Sequence, residues 1–199
     1  MIDIFSRYIV GFKVEKNEST LIAQEMIEKA YIDQLVNPDE LTIHSDRGSP
    51  MTADSMRALF SFLGVTMSLS RPRVSNDNPY SESQFKTLKY HWTFPGFFTD
   101  LNHARTFCEE FITYYNNEHY HSGIAYHHPA SIHRYTAPQI QATRNETLLL
   151  AYEKNPLRFN NQKPRLQALP TEATINWPSG MKGKTLSNEL DKINEILVS

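Results

Sequence analysis

The sequence predicts an α/β fold. Two short β-rich runs, "LTIHSD" (41–46) and "VTMSLS" (65–70), stand between stretches whose apolar residues recur at helical spacing. Strand and helix patterns alternate β-α-β-α-β-α from residue 7 to about residue 92, which is the order of a layered α/β domain. Hydrophobic residues make up 40% of the 199 and aromatics 12%, enough to fill a core beneath such a sheet.

The elements follow in order. Residues 7–16, with the run Tyr8-Ile9-Val10-Gly11-Phe12 behind a turn-like "FSR", are expected as a strand of a hairpin. In "STLIAQEMIEKAYIDQLV" (19–36), Leu21, Ile22, Met26, Ile27 and Tyr31 share a helical face behind a Ser19 cap. The strand at 41–46 ends in Asp46-Arg47-Gly48, a turn signal. Thr52 is expected to cap a helix through about 64, with Asp54 in its first turn and Met56, Leu59, Phe60 and Leu63 inward. After the strand at 65–70 and the polar loop "RPRVSNDN", Asn78-Pro79 opens a helix expected to run to about Trp92. Residues 101–121 form a strongly amphipathic helix, and 137–154 another. Residues 156–178 read as an extended or small-sheet tail, and 185–198 as a last amphipathic helix. The division expected is a core at 1–135, a helical connection at 136–154 and a C-terminal tail at 155–199.

Composition narrows the function. The single Cys108 excludes a disulfide framework and a multi-cysteine zinc site, suits a reducing cytoplasm, and reads as a small apolar residue on a helix. No apolar run approaches the roughly 20 residues of a membrane span. The formal charge of −2 leaves no chain-wide basic surface, so contact with nucleic acid would rest on local clusters.

Two acids stand out. Asp46 ends a short strand, where α/β sheets present side chains to a crevice. Glu82 lies one turn into the helix opened by Asn78-Pro79, and Lys86 and Lys89 follow at i+4 and i+7. Phe85, Leu88 and Trp92 are assigned to the other face, expected to dock the helix on the sheet. Alone, each acid has an ordinary reading: Asp46 as a turn residue before glycine, Glu82 as half of a solvated ion pair.

The combination is more specific. "DIFSRYIVGF" (3–12), "HSDRGSPMTA" (44–53), "NDNPYSESQFKTLKY" (76–90) with its Glu 36 positions after Asp46, "YYNNEHYHSGIAYHHPA" (114–130) and "NPLRFNNQKPRLQALPTEATINWP" (155–178) together resemble insertion-sequence transposases related to retroviral integrases, the D,D(35)E group. The resemblance implies a ribonuclease H-like integrase core, a mixed sheet flanked by helices, with a C-terminal appendage. It implies strand transfer on DNA, in-line attack of water or a 3′-hydroxyl on a phosphodiester, with two Mg²⁺ or Mn²⁺ ions about 4 Å apart. Asp46 is then the second acid and Glu82 the third, both metal ligands. Lys86 and Lys89 would lie along the DNA end, and Arg71 and Arg73 would add phosphate contacts. Arg47 fits such a contact or a structural role equally. Transposon ends and target DNA are the implied partners, with a homo-oligomer acting on paired ends in the cytoplasm, at the nucleoid.

One acid of the pattern has no counterpart in this sequence. The family's first catalytic Asp lies on the sheet's first strand, about 20 residues before the segment matching "DIFSR". The expectation is therefore a core whose first strand is missing, inactive by itself. Asp3 is expected as a turn residue of the hairpin. The alternative is a non-catalytic DNA-binding or regulatory transposase remnant; an unrelated nuclease on the same fold fits the last two motifs less well. His44, two residues before Asp46, fits a supporting role beside the acid or a packed structural one. His119, His121, His127 and His128 lie outside the acid motifs and are read as structural.

Overall fold

The computed structural model describes residues 1–74 and 77–175. The expected helix at 185–198 and the end of the tail lie outside the described residues.

At the centre, β1 (Thr42–Ser45) pairs in parallel with β2 (Thr66–Leu69), Thr42 opposite Thr66 and Ser45 opposite Leu69. A parallel pair needs a crossover, and α2 (Ser49–Thr52) and α3 (Asp54–Leu63) supply it. Before β1, α1 (Thr20–Asp33) begins where Ser19 Oγ accepts the Ile22 N–H, as the sequence predicts. It stops short of residue 36, because Leu35 turns left-handed at φ 50°. Ile27 of α1, Ile43 of β1, Met56, Leu59 and Phe60 of α3, and Val65 form one buried cluster.

Thr52 does not cap α3. It ends α2 with its hydroxyl on the Gly48 and Ser49 carbonyls, and Ala53 stands at the α3 N-cap without a side-chain bond. Gly64 closes α3 at φ 64°, which lets the chain turn straight into β2.

The strand expected at 7–16 is a single bridge. Asp3 N–H donates to Tyr8 O and Val10 N–H to Met1 O, framing the pair Ile2–Ile9. Arg7, at φ 66°, closes the turn. Past Gly11 no described strand lies alongside to continue the ladder, and the Val14 carbonyl instead accepts from Arg105 Nε. The sheet also ends at β1, among the described residues, and is smaller than the mixed sheet expected. Leu41 and Ser45 give their carbonyls to β2, so by alternation Thr42 and His44 turn their backbone groups to the free edge. Beside that edge lies a cavity of about 790 Å³, walled by Ile2, Ile4, Ile27, Ile43 and His44.

The second cluster is aromatic. α5 (Leu101–Asn117) starts at Asp100, whose Oδ1 accepts the His103 N–H, and buries Phe107, Phe111 and Tyr115 against Ile9. Half-buried Cys108 packs there, as its apolar reading requires. α6 (Pro129–His133) and α7 (Ala137–Lys154) follow. In the tail a 3-10 turn at Pro156–Phe159 precedes irregular chain, and no strand forms there among the described residues.

α4 (Pro79–Lys89) departs most from expectation. It ends three residues before Trp92, because His91 leaves the helix to pack on Phe111 and Tyr114 at ring distances of 5.3 and 4.9 Å. Nor does an apolar face dock it on the sheet. Phe85 is 65% and Trp92 85% exposed, and Leu88 alone of the three reaches the aromatic cluster.

Candidate active site

Asp46 follows β1 directly, exposed at the carboxyl end of the sheet. Its Oδ1 accepts two hydrogen bonds, from Ser70 Oγ at 3.0 Å and from Asn78 Nδ2 at 3.3 Å. Ser70 is the residue after β2, and Asn78 is the N-cap of α4. Three motifs distant in sequence therefore converge on one carboxylate oxygen. No bond falls on Oδ2 among the described residues, which leaves its lone pairs for a cation.

His44 resolves toward the supporting role. Its Nδ1 lies 2.8 Å from Ser68 Oγ and its Nε2 3.3 Å from Ser70 Oγ, so it reaches Asp46 through Ser70. Arg47 resolves toward structure, with Nε donating to the Ser70 carbonyl at 2.9 Å.

Glu82 is exposed in the first turn of α4, where the helix dipole favours an anion. Lys86 and Lys89 are exposed on the same helix, and among the described residues neither pairs with Glu82. Pro79 at the first helical position fixes where α4 begins, and Asn78 spends its side chain on Asp46 rather than on a cap. The start of α4 is thereby tied to the end of β1.

The arginines divide. Arg71 is committed: Nε and Nη2 bind both oxygens of buried Asp77 at 2.9 and 2.7 Å, and its backbone N–H adds a third bond. Arg73 sits at φ 62° in a cleft of about 390 Å³ shared with Asp46, Arg47 and Arg71.

Asp3 is a turn residue. It accepts the Phe5 and Ser6 amides, the Ser6 hydroxyl and a contact from His133. Burial would raise its pKa, but the bonds from His133, Ser6 and Phe5 outweigh that and hold it at about 2. The other histidines are built into the packing. His127 is fully buried with Nε2 on Gln141 at 2.9 Å, and His121 Nδ1 accepts the Gly123 N–H. Burial, then the charges of Arg7 and His119, push His121 down to about 4.

Sequence reasoning missed two residues that hold the frame. Buried Asn116 grips Ile9 through both backbone groups, accepting its N–H at 2.9 Å and donating to its carbonyl at 3.1 Å. His133 stacks on Tyr8 at 4.4 Å and joins Asp3 to Gln34. An asparagine on the inward face of an amphipathic helix was the available signal for the first. Nothing local marks the second.

Two models described as the integrase core domain match, one over residues 1–75 and the other over 63–129. Between them they take in well over half the chain. The chain belongs to the integrase core family. A transposase for insertion sequence element IS904 of Lactococcus lactis subsp. lactis (strain IL1403) is 30% identical over 137 residues, 68% of this chain and 54% of that protein. A putative transposase InsK for insertion sequence element IS150 of Escherichia coli (strain K12) is 25% identical over 118 residues, 59% of this chain and 41% of that protein. This integrase core thus spans about half the length of the curated relatives it matches. A chain of a simian T-cell lymphotropic virus intasome in complex with PP2A regulatory subunit B56 gamma overlays it at a TM-score of 0.46 and 12% identity, covering 83% of this chain and 48% of that one. That likeness is loose, and membership rests on the family matches. No helix among the described residues is long and apolar enough to cross a membrane.

The donor chemistry of this integrase core suits a hard divalent cation, since exposed carboxylate oxygens are the ligands Mg²⁺ and Mn²⁺ prefer. Among the described residues no group of three His, Cys, Asp or Glu side chains comes together to hold a metal unaided.

Proposed function

We propose that this integrase core contributes Asp46 and Glu82 to a metal-dependent strand-transfer site acting on DNA, and that residues 1–199 alone do not complete it. The observation that carries the reading is the bond from Asn78 to Asp46, which anchors the helix of one acid to the other acid. Sites that need fixed carboxylates are built this way, on rigid elements with an outer layer of hydrogen bonds.

The residues have separate tasks. Asp46 and Glu82 would hold Mg²⁺ or Mn²⁺, which when bound activates the attacking hydroxyl and stabilises the leaving oxygen. Ser70 and Asn78 hold Asp46 through Oδ1, and His44 steadies Ser70. Lys86 and Lys89 run along the exposed face of α4 and meet phosphates beside Glu82. Arg73 is the arginine of the adjoining cleft best placed to add another such contact, because Arg71 is spent on Asp77.

The cavity beside β1 supports the second half of the proposal. Its lining includes Thr42 and His44 of the free edge of β1, Ile2 and Ile4 of the hairpin, and Ile27 and Ala30 of α1. A strand bearing the pattern's first acid would enter there. DNA ends and target DNA are the partners this reading requires, with a homo-oligomer to bring two ends together.

The test is strand transfer by the purified chain on its element's ends, in Mg²⁺ or Mn²⁺. DNA binding without strand transfer is the expected result. Metal-dependent strand transfer by the chain alone would overturn the incomplete-site reading. If co-expression lowers transposition by a complete copy and Asp46→Asn makes no difference, the non-catalytic regulatory reading takes its place.

A further inference from the structure

We infer that Tyr80 is a positioning residue for Glu82, clamped between Arg7 of the N-terminal hairpin and the Thr174 carbonyl of the C-terminal tail. The inference rests on the reading of Asp46 and Glu82 as one metal site and deepens it by naming what aims the second acid. The need for such a residue follows from how α4 is held. No residue of the helix is buried, and only Leu88, near its far end, packs on the aromatic cluster. Asn78 ties the position before the helix to Asp46 by one exposed bond of 3.3 Å. A carboxylate that shares a cation must be held to within about 0.5 Å. Neither of those two anchors lies in the turn that carries Glu82.

Tyr80 supplies an anchor in that turn. Its hydroxyl donates to the Thr174 carbonyl at 2.9 Å, and the Arg7 guanidinium carbon lies 4.2 Å from its ring centroid. Both partners are themselves fixed. Arg7 closes the hairpin turn at φ 66°, its backbone N–H donating to the Asp3 carbonyl at 2.8 Å. Arg7 Nη1 is buried and has no hydrogen-bond partner among the described residues, so the electron-rich face of Tyr80 supplies attraction that no acceptor does. Upstream of Thr174 the tail is pinned to the core: Gln141 Nε2 donates to the Gln167 carbonyl at 2.8 Å, and Leu169 packs on Ile124, Ile132 and Ala137.

Helix geometry carries the clamp to the acid. At 3.6 residues per turn, Tyr80 and Glu82 stand about 200° apart around α4. Holding the ring between hairpin and tail therefore holds Glu82 on the opposite side of the helix, where it is exposed. Asn78 sets where α4 begins, and Tyr80 sets how the first turn is rotated. The N-terminal hairpin and the tail, at opposite ends of the described chain, thus act on one carboxylate through one ring.

The experiment titrates Mn²⁺ into the full chain by electron paramagnetic resonance, beside denaturant melts of every variant. Tyr80→Leu loses ring and hydroxyl and should bind Mn²⁺ roughly tenfold more weakly, the usual effect of losing an outer support of a metal ligand. Tyr80→Phe keeps the ring over Arg7 and loses one hydrogen bond, for an expected loss of about threefold. Arg7→Met should match Tyr80→Leu, whereas Arg7→Lys keeps a cation on the ring and should stay within about twofold of the parent. Gly64→Ala strains a turn at the opposite end of β2 from Ser70, and should lower stability while leaving Mn²⁺ affinity unchanged. Parental affinity in Tyr80→Leu and Arg7→Met overturns the clamp and leaves the metal site standing. Should Tyr80→Leu fail to fold, parental affinity in Tyr80→Phe overturns it instead. A loss in Gly64→Ala as large as in Tyr80→Leu makes the effect one of stability and also overturns the clamp. A parent that binds no Mn²⁺, or whose binding survives both Asp46→Asn and Glu82→Gln, overturns the metal site and this inference with it.

Discussion

Asn78 Nδ2 donates to Asp46 Oδ1 across 3.3 Å and 32 positions of sequence. The bond joins the end of β1 to the cap of α4, and Ser70 meets the same oxygen from β2. Removing either donor should loosen the carboxylate without dismantling the sheet. Ser70→Ala is expected to cost about 1 kcal/mol of stability, as one partly buried hydrogen bond. Asn78→Ala or Ser70→Ala should weaken Mn²⁺ binding at Asp46 by roughly tenfold or more, the usual effect of losing an outer hydrogen bond to a metal ligand. Denaturant melts and Mn²⁺ titrations check the two parts, and unaltered Mn²⁺ affinity in both variants would detach these bonds from the site.

Asn116 sets the position of the N-terminal hairpin. It satisfies both backbone groups of Ile9, and both bonds are buried. Asn116→Ala leaves a buried N–H and a buried carbonyl without partners and should cost roughly 2–4 kcal/mol. Asn116→Asp keeps the acceptor and loses the donor, so it should also destabilise. A denaturation midpoint equal to the parent's in Asn116→Ala would show that the hairpin is held elsewhere.

The turn from α3 into β2 depends on glycine. Gly64 stands at φ 64°, and a Cβ there would lie 2.9 Å from the Asp39 nitrogen and 3.0 Å from Pro38 Cβ. Backbone cannot yield as a side-chain tip can. Gly64→Ala should destabilise by at least about 1–2 kcal/mol from the left-handed conformation alone. Equal thermal stability would contradict the geometry.

Acid should loosen the fold in two steps. His121 titrates near 4 in the folded chain against about 6.5 when unfolded, so between those values the unfolded state binds the extra proton. Stability therefore falls as pH drops from 6.5 to 4. Below that, Asp3 at about 2 against 3.8 acts with the same sign, its contribution lost as pH falls through 2. His119 and His127, also lowered by burial, add to the first step. His121→Gln should flatten the melting-temperature profile between pH 6.5 and 4 without levelling it. An unchanged slope in that variant, or a parent profile that is flat there, would contradict the assignment.

Local signals carried much of the fold and the positions of both acids. Ser19, Gly64 and the Asn78-Pro79 pair mark boundaries by chemistry that does not depend on distant chain. β1 and β2 appear within a residue of where their β-rich runs place them. The expectations that failed are those a distant partner decides. Residues 7–16 have strand composition, but among the described residues only Met1–Asp3 lies alongside as a strand partner. The α4 face was misjudged because Phe85, at 3.6 residues per turn, falls within about 100° of Glu82, Lys86 and Lys89 rather than opposite them, and Trp92 was placed on a helix that His91 leaves. The capping role given to Thr52 went to Ala53 because Ser49–Thr52 folds into its own short turn. Asp46 and Glu82 are legible as a pair only through their motifs, while the bonds converging on Asp46 Oδ1 appear only when β1, β2 and α4 are assembled.

The most direct test of the central claim is Mn²⁺ binding followed by electron paramagnetic resonance in the parent chain, Asp46→Asn and Glu82→Gln. Asp46→Asn keeps an oxygen for Ser70 and Asn78, and Glu82 is exposed, so both variants should fold as the parent does. The expected result is weak Mn²⁺ binding in the parent, at the two carboxylates of an incomplete site, that either substitution removes. Binding that survives both substitutions undiminished would contradict the assignment of Asp46 and Glu82 as partners in one metal-dependent site.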